Sequence, residues 1–183
     1  LAVSRGASSQ DSGATWSLPQ YVAHAWDDVS ITEGPGGILV LLAWPTLNEP
    51  GSYGLSTFTS TDGITWGNKR RVTPTQTNNS VGRIIFARDG YYYASYQSDA
   101  FLSGDTPVQD TLITRSKDLS LWEDPVNVTN GTVRSNDSSL LQTKDGMFWL
   151  AYNLVSSPFD TVIMKSSDGQ SWTRVISIAN FGL

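Results

Sequence analysis

Apolar and polar residues alternate along this chain in short runs, broken by clusters of Gly, Asp, Asn, Ser and Pro. A period of two is the signature of a strand with one buried face, and runs bounded by turn residues read as β-strands. Residues 2–7, 53–59, 110–115 and 160–165 form one set of such runs, and residues 15–22, 66–72 and 172–178 belong to a second set that follows it. A further hairpin precedes each of the last three pairs. Residues 29–32 turn through Gly34, Pro35, Gly36 and Gly37 into 38–44; residues 81–87 turn at Asp89 and Gly90 into 91–96; residues 138–142 turn at Asp145 and Gly146 into 147–152. Residues 38–42 are apolar at every position, which predicts a strand covered on both faces. No stretch combines a helical period with caps, so the chain is expected to be all-β.

The connection between the two strands of each set is itself a pattern. Ser9, Asp11, Gly13, Thr15 and Trp16 are matched by Ser60, Asp62, Gly63, Thr65 and Trp66, and again by Ser166, Asp168, Gly169, Ser171 and Trp172. A degenerate copy keeps Ser116, Asp118, Ser120 and Trp122 but has Leu119 where the others offer Gly. The Asp-to-Asp steps are 51, 56 and 50 residues (62 − 11, 118 − 62, 168 − 118). An Asp carboxylate accepts backbone N–H groups two residues on, Gly supplies positive φ, and the hydroxyls add local bonds, so the motif is the turn of a tight hairpin. The Trp is then expected to bury its ring between neighbouring sheets. A catalytic group would not recur in every repeat, so Asp11, Asp62, Asp118 and Asp168 are expected to be structural.

Four antiparallel strands per roughly 50 residues, repeated in series, describe the blade of a β-propeller. The register gives a half blade over 1–22 and blades over 23–73, 74–129 and 130–183, an arc of about three and a half. Propellers close with about four to eight blades, and an open arc exposes unpaired sheet edges. A larger propeller is therefore expected, completed by further chain or by another copy.

The Ser-x-Asp-x-Gly-x-Thr-Trp turn resembles the Asp-box, or BNR, repeat of sialidase-like propellers, and the resemblance covers nearly the whole chain. It implies an extracellular protein that binds glycans, with hydrolysis in catalytic members. Members of that family hold the substrate carboxylate with three Arg residues, one of them in an Arg-Ile-Pro motif that this chain lacks. The segment 114–125, reading TRSKDLSLWEDP, is also similar to Ser-x-Asp-Leu-x-x-Trp segments of five-bladed propeller glycosidases acting on arabinans, xylans or fructans. That second resemblance implies three acidic residues around the axis, parts that Asp27 or Asp28 and Asp137 would fill.

Composition narrows the chemistry. Twelve Lys and Arg against 17 Asp and Glu give a formal charge of −5, so no nucleic-acid partner is expected. There is no Cys and a single His, His24, which argues against disulfides and zinc; no metal or cofactor is expected. The longest apolar run, 38–44, is too short to span a bilayer. Sequons at Asn78, Asn127, Asn130 and Asn136 and the polar, acidic composition lean toward an extracellular or secreted protein.

Binding groups in a propeller sit on the loops of the face opposite the Ser-x-Asp turns. Those loops carry Trp26 beside Asp27 and Asp28, with Arg134, Asn136 and Asp137 in the equivalent connection of the last blade and Arg83 at the start of another. Trp26 suits the C–H face of a sugar. Asp27 or Asp28 is the expected acid, with Trp26, Arg83, Arg134 and Asp137 as substrate-binding groups. The rival reading is a noncatalytic propeller for adhesion or protein interaction that uses the same loops.

Overall fold

The computed structural model describes residues 4–23, 29–44, 54–73, 79–98, 109–129, 134–155 and 160–179. Fourteen strands are assigned among them, with no α-helix. A two-stranded sheet pairs β1 (Ser4–Gly6) with β2 (Gln20–Ala23). Three four-stranded antiparallel sheets follow. The first is β3 (Ser30–Glu33), β4 (Leu39–Ala43), β5 (Ser56–Ser60) and β6 (Gly67–Arg71). The second is β7 (Asn79–Phe86), β8 (Tyr92–Ser98), β9 (Asp110–Ser116) and β10 (Val126–Asn127). The third is β11 (Ser135–Gln142), β12 (Phe148–Leu154), β13 (Asp160–Ser166) and β14 (Thr173–Ala179). Each sheet is a meander in chain order, which is the blade pattern.

The blades stack through their apolar faces. Val40, Leu42, Leu55 and Val72 of the first blade share a core with Ile84, Tyr92, Tyr96, Leu112 and Leu119 of the second. Tyr93 and Ile113 meet Phe148, Leu150 and Val162 of the third on the other side. Strand β8, the central strand of this stack, is consequently buried at all seven positions, whereas the outermost β6 is exposed at all five. As residues 38–42 predicted, β4 is buried from Val40 to Ala43.

First strands of successive blades lie side by side, and each is a sheet edge with unpaired N–H groups. Polar side chains of the neighbouring strand satisfy them. Ile84 N donates to Ser30 Oγ at 3.1 Å and Phe86 N to Thr32 Oγ1 at 3.2 Å, two acceptors at the strand period of two. Arg88 N donates to Gln142 Oε1 at 2.9 Å across the next seam.

The Ser-x-Asp turns have the predicted chemistry. Asp62 Oδ1 accepts from Ile64 N at 2.8 Å and Thr65 N at 2.7 Å, while Ser60 Oγ accepts from Gly63 N at 2.9 Å. The Trp66 indole N–H closes the motif on Gly63 O at 3.2 Å. Asp168 repeats the set, with bonds from Gln170 N and Ser171 N and from Trp172 to Gly169 O. These donors hold the Asp62 and Asp168 carboxyls down at about 2.

Three expectations need correction. Trp16 is 65% exposed rather than buried, because no described sheet lies over its ring; Trp66, Trp122 and Trp172 are the half-buried members. Strand β2 begins at Gln20, not Thr15, since Ser17 is still held in the turn by Ser8 (Ser17 N to Ser8 O, 2.8 Å) and Pro19 has no N–H to pair. The degenerate turn is a fitted part rather than a decayed one. Gly34 N to Ile38 O and Ala87 N to Tyr91 O bonds close equivalent hairpins, so Val40 of β4 corresponds to Tyr93 of β8. Tyr93 fills the space above Gly169 so closely that a Cβ there would collide with the ring. Val40 leaves that space open, and Leu119 joins the same core as Val40 at 7% exposure while adopting φ +65°. Trp122 packs beside this core with its indole N–H buried and unpartnered.

Candidate functional site

The Ser-x-Asp turns leave from Ser60, Ser116 and Ser166, so the registers place Asn79, Ser98, Asp110, Ser135, Leu154 and Asp160 at the opposite end of the blades. There two of the three described first strands, β7 and β11, break regular pairing. A bulge falls between Ser80 and Arg83 in β7 and another between Asn136 and Ser139 in β11. Gly82 makes the first one possible: a Cβ there would lie 2.6 Å from Leu42 Cδ2 and 3.1 Å from Leu55 Cδ1. In the second, Ser138 takes the inward position and meets Ser95 Oγ at 3.1 Å.

That bond ties two of the sequence-nominated residues to one region. Arg83 is the cross-strand partner of Ser95, and Asp137 immediately precedes Ser138. Asp137 is exposed and has φ +53°, a left-handed conformation uncommon outside Gly, Asn and Asp. Asp is among the few residues that enter this region readily, and here the bulge leaves its side chain exposed. Arg83 is half-buried, with Nη1 donating to Gly82 O at 3.0 Å. Arg134 is exposed and reaches across the seam, its Nη2 donating to Gln109 Oε1 at 3.0 Å. Trp26, Asp27 and Asp28, together with His24, lie outside the described residues.

Around this end lies a buried polar layer that sequence reasoning missed. Asp110, 1% exposed, accepts from Asn127 Nδ2 at 2.8 Å and Thr129 Oγ1 at 2.7 Å. Thr111 and Ser135 hydroxyls meet at 2.7 Å. Gln97 Nε2 and Asn136 Oδ1 are buried without hydrogen-bond partners. The layer braces the chain leading into the loops of this face. Its signal in the sequence is the run of polar residues at strand ends, which alternation alone marks only as loop boundary. The Asn127 sequon falls inside it, with the nitrogen that would carry a glycan already committed to Asp110. Among the described residues no group of three or more His, Cys, Asp or Glu side chains could hold a metal ion.

No protein-family model and no curated protein matches this chain. Solved structures do match. The GH93 α-L-arabinofuranosidase of Fusarium graminearum, in complex with arabinobiose, superposes with a TM-score of 0.72 at 14% identity, over 93% of this chain and 57% of that one. The α-L-arabinanase of Penicillium chrysogenum with arabinobiose gives a TM-score of 0.67 at 18% identity over the same shares. A Hadza microbial sialidase gives 0.66 at 17% identity, over 93% of this chain and 39% of that one. The chain thus spans a little over half the length of the first two of these enzymes. At these identities the likeness establishes the fold, and the chain is an arc of a β-propeller.

Proposed function

We propose that this arc belongs to a propeller glycoside hydrolase acting on neutral, arabinosyl-type glycans outside the cell. Further blades, from more chain or another copy, complete its ring. The observation that carries the reading is the exposed carboxylate of Asp137, presented in a left-handed bulge on a first strand level with Arg83. In the sequence, Asp28 stands six residues before Gly34 (34 − 28) and Asp137 six before Thr143 (143 − 137). Gly34 and Thr143 open equivalent hairpins through bonds to Ile38 O and Met147 O. By sequence offset from these hairpins Asp28 is the counterpart of Asp137, and on that spacing the two are assigned as the pair.

Most glycoside hydrolases use such a pairing: one carboxyl protonated to donate to the leaving oxygen, one ionised to activate water or attack the anomeric carbon. Asp28, with Asp27 as the adjacent alternative, supplies the acid; Asp137 supplies the second carboxylate; Arg83 and Trp26 orient the sugar, with Arg134 at the rim. A neutral sugar is favoured over a sialoside because Arg83 is the only arginine in β3, β7 and β11, whereas sialidase-like sites surround a carboxylate with three.

The test is turnover of 4-nitrophenyl α-L-arabinofuranoside, arabinan and a fluorogenic sialoside by the full chain. Arabinosyl substrates are expected to be cleaved and the sialoside spared. Asp28→Asn and Asp137→Asn should each lower kcat by about 10²- to 10⁴-fold with little change in KM. Saturable arabinan binding without turnover would support the noncatalytic reading instead.

A further inference from the structure

The seams between the three full blades follow one rule of size. In each, the second strand of the earlier blade points a side chain toward the Ser-x-Asp turn of the next. Tyr93 of β8 lies over Gly169 with no room for a Cβ, while the smaller Val40 of β4 shares a core with Leu119. Ala87 N bonds to Tyr91 O and Thr143 N to Met147 O, so Trp149 stands on β12 where Tyr93 stands on β8. Phe148 packs on Tyr93, with ring centroids 4.6 Å apart, so the second blade covers that face of β12 and Trp149 points to the opposite one. This outer face carries a groove of about 360 Å³ walled by Leu141, Trp149, Ala151 and Ile163. Leu141 and Ile176, the cross-strand partner of Ile163, remain about half exposed on it. An exposed apolar patch of this kind marks a contact surface.

The matching part lies at the other end of the arc. In the turn between β1 and β2, Gly13 N donates to Ser9 Oγ at 2.7 Å and Trp16 Nε1 to Gly13 O at 3.1 Å. Gly169 is fixed by the same two bonds, to Ser166 Oγ at 2.9 Å and from Trp172 Nε1 at 3.3 Å. The first turn is one residue longer between Asp and Gly, yet it presents the same glycine beside the same ring. Among the described residues the space above Gly13 is open, since a Cβ there would meet only its own Trp16, at 3.9 Å. Trp16 is exposed, and so is Tyr21, which points away from the Val22 that packs on the first blade. The chain therefore carries one unmet copy of each half of a seam, and because both are exposed the arc does not close on itself. We propose that copies of this chain associate head to tail, the outer face of the third blade in one copy receiving the β1–β2 turn of the next, with Trp149 over Gly13. An indole is bulkier than the Tyr93 ring, so it fits a glycine turn and would collide with one like that of Leu119. Lys165, opposite Trp149 as Arg115 is opposite Tyr93, brings a cation to the turn that carries Asp11. The contact joins two different surfaces, which gives a ring where the rotation closes and an open series where it does not. It narrows the completion of the ring in the proposed function to another copy, and it rests on the blade fold without the Asp137 assignment.

The test is sedimentation velocity of the full chain between about 1 and 500 µM. Mass should rise above the 19.9 kDa of one copy as concentration increases, with a Kd on the order of 10–100 µM. Trp16→Gln and Leu141→Lys each alter a side chain that is exposed in the single copy, so each should leave the urea midpoint unchanged and weaken self-association by at least about tenfold. Mixed together, the two variants should associate again, to twice the mass of one copy and no further. Each keeps the surface that the other has lost, and a single contact results. Asp137→Asn should associate as the parent does, so that failure of the axial assignment and failure of this one are separable. A mass of one copy at every concentration, indifference to both substitutions, or no recovery on mixing would each overturn the head-to-tail contact.

Discussion

Leu119 sets two effects of similar size against each other, and the balance tests how the blades fit together. Its side chain is 7% exposed in the core between the first two blades, so truncation removes a buried leucine, at about 2–5 kcal/mol by analogy with other cores. Its backbone is left-handed, with φ +65°, a conformation that costs a non-glycine residue roughly 1–2 kcal/mol. Leu119→Ala loses the packing and keeps the strain, for a net loss of about 3–4 kcal/mol. Leu119→Gly loses slightly more packing but is freed of the strain, for a net loss of about 2 kcal/mol. At an ordinary buried position glycine is the worse replacement; here it should be the better one. Urea unfolding followed by Trp fluorescence reads the difference: with a slope of roughly 2 kcal/mol per M, the midpoint falls by about 1 M in the glycine variant and nearer 2 M in the alanine variant. A glycine variant as stable as the parent would show that Leu119 fills nothing, and one less stable than the alanine variant would show that the turn is not strained.

Other consequences follow from the same geometry. Gly169→Ala drives a Cβ into the Tyr93 ring at φ +69°, and a melting temperature lower by roughly 5–15 °C is expected in a thermal scan. Asp62 has its carboxyl held at about 2, chiefly by the Thr65 and then the Ile64 backbone N–H, below an unfolded value of about 3.9. Its stabilisation is therefore complete above about pH 4 and lost as pH falls through about 2. Urea midpoints compared at pH 7 and pH 2.5 should drop less in Asp62→Asn than in the parent. Asp110→Ala strips the acceptor from Asn127 and Thr129, and the Val128 amide, bonded to Thr111 O at 3.0 Å, should lose protection in hydrogen exchange.

The repeat was legible because its bonds are local. Each Ser-x-Asp turn closes within eight residues, so residue type and spacing suffice to specify it, and the 50-residue interval then implies the blade. Strand ends were less legible: β2 starts five residues late because Ser17 and Pro19 answer to the turn, and β10 shrinks to Val126–Asn127 after Pro125. Leu119 read as a lapse in the motif, since its partner Val40 lies some 80 residues away in the sequence (119 − 40 = 79) and in another sheet. Of the candidate residues, Arg83, Arg134 and Asp137 were legible as residue types at the end of the blades opposite the Ser-x-Asp turns. The left-handed turn at Asp137 arises where Ser138 must face Ser95 of the preceding blade, a contact between sheets that no local pattern records. Asp110 was missed for the same reason, its partners Asn127 and Thr129 being brought to it by the return of the chain at β10.

The central claim is that function resides in Asp137 on the axial end, while the repeated aspartates serve only the fold. The most direct measurement is arabinofuranoside hydrolysis and urea unfolding of Asp137→Asn and Asp168→Asn side by side. Hydrolysis should fall by at least about 10²-fold in Asp137→Asn with its unfolding midpoint unchanged, and persist in Asp168→Asn with a lowered midpoint. Full activity in Asp137→Asn, in a preparation whose parent is active, would contradict the account.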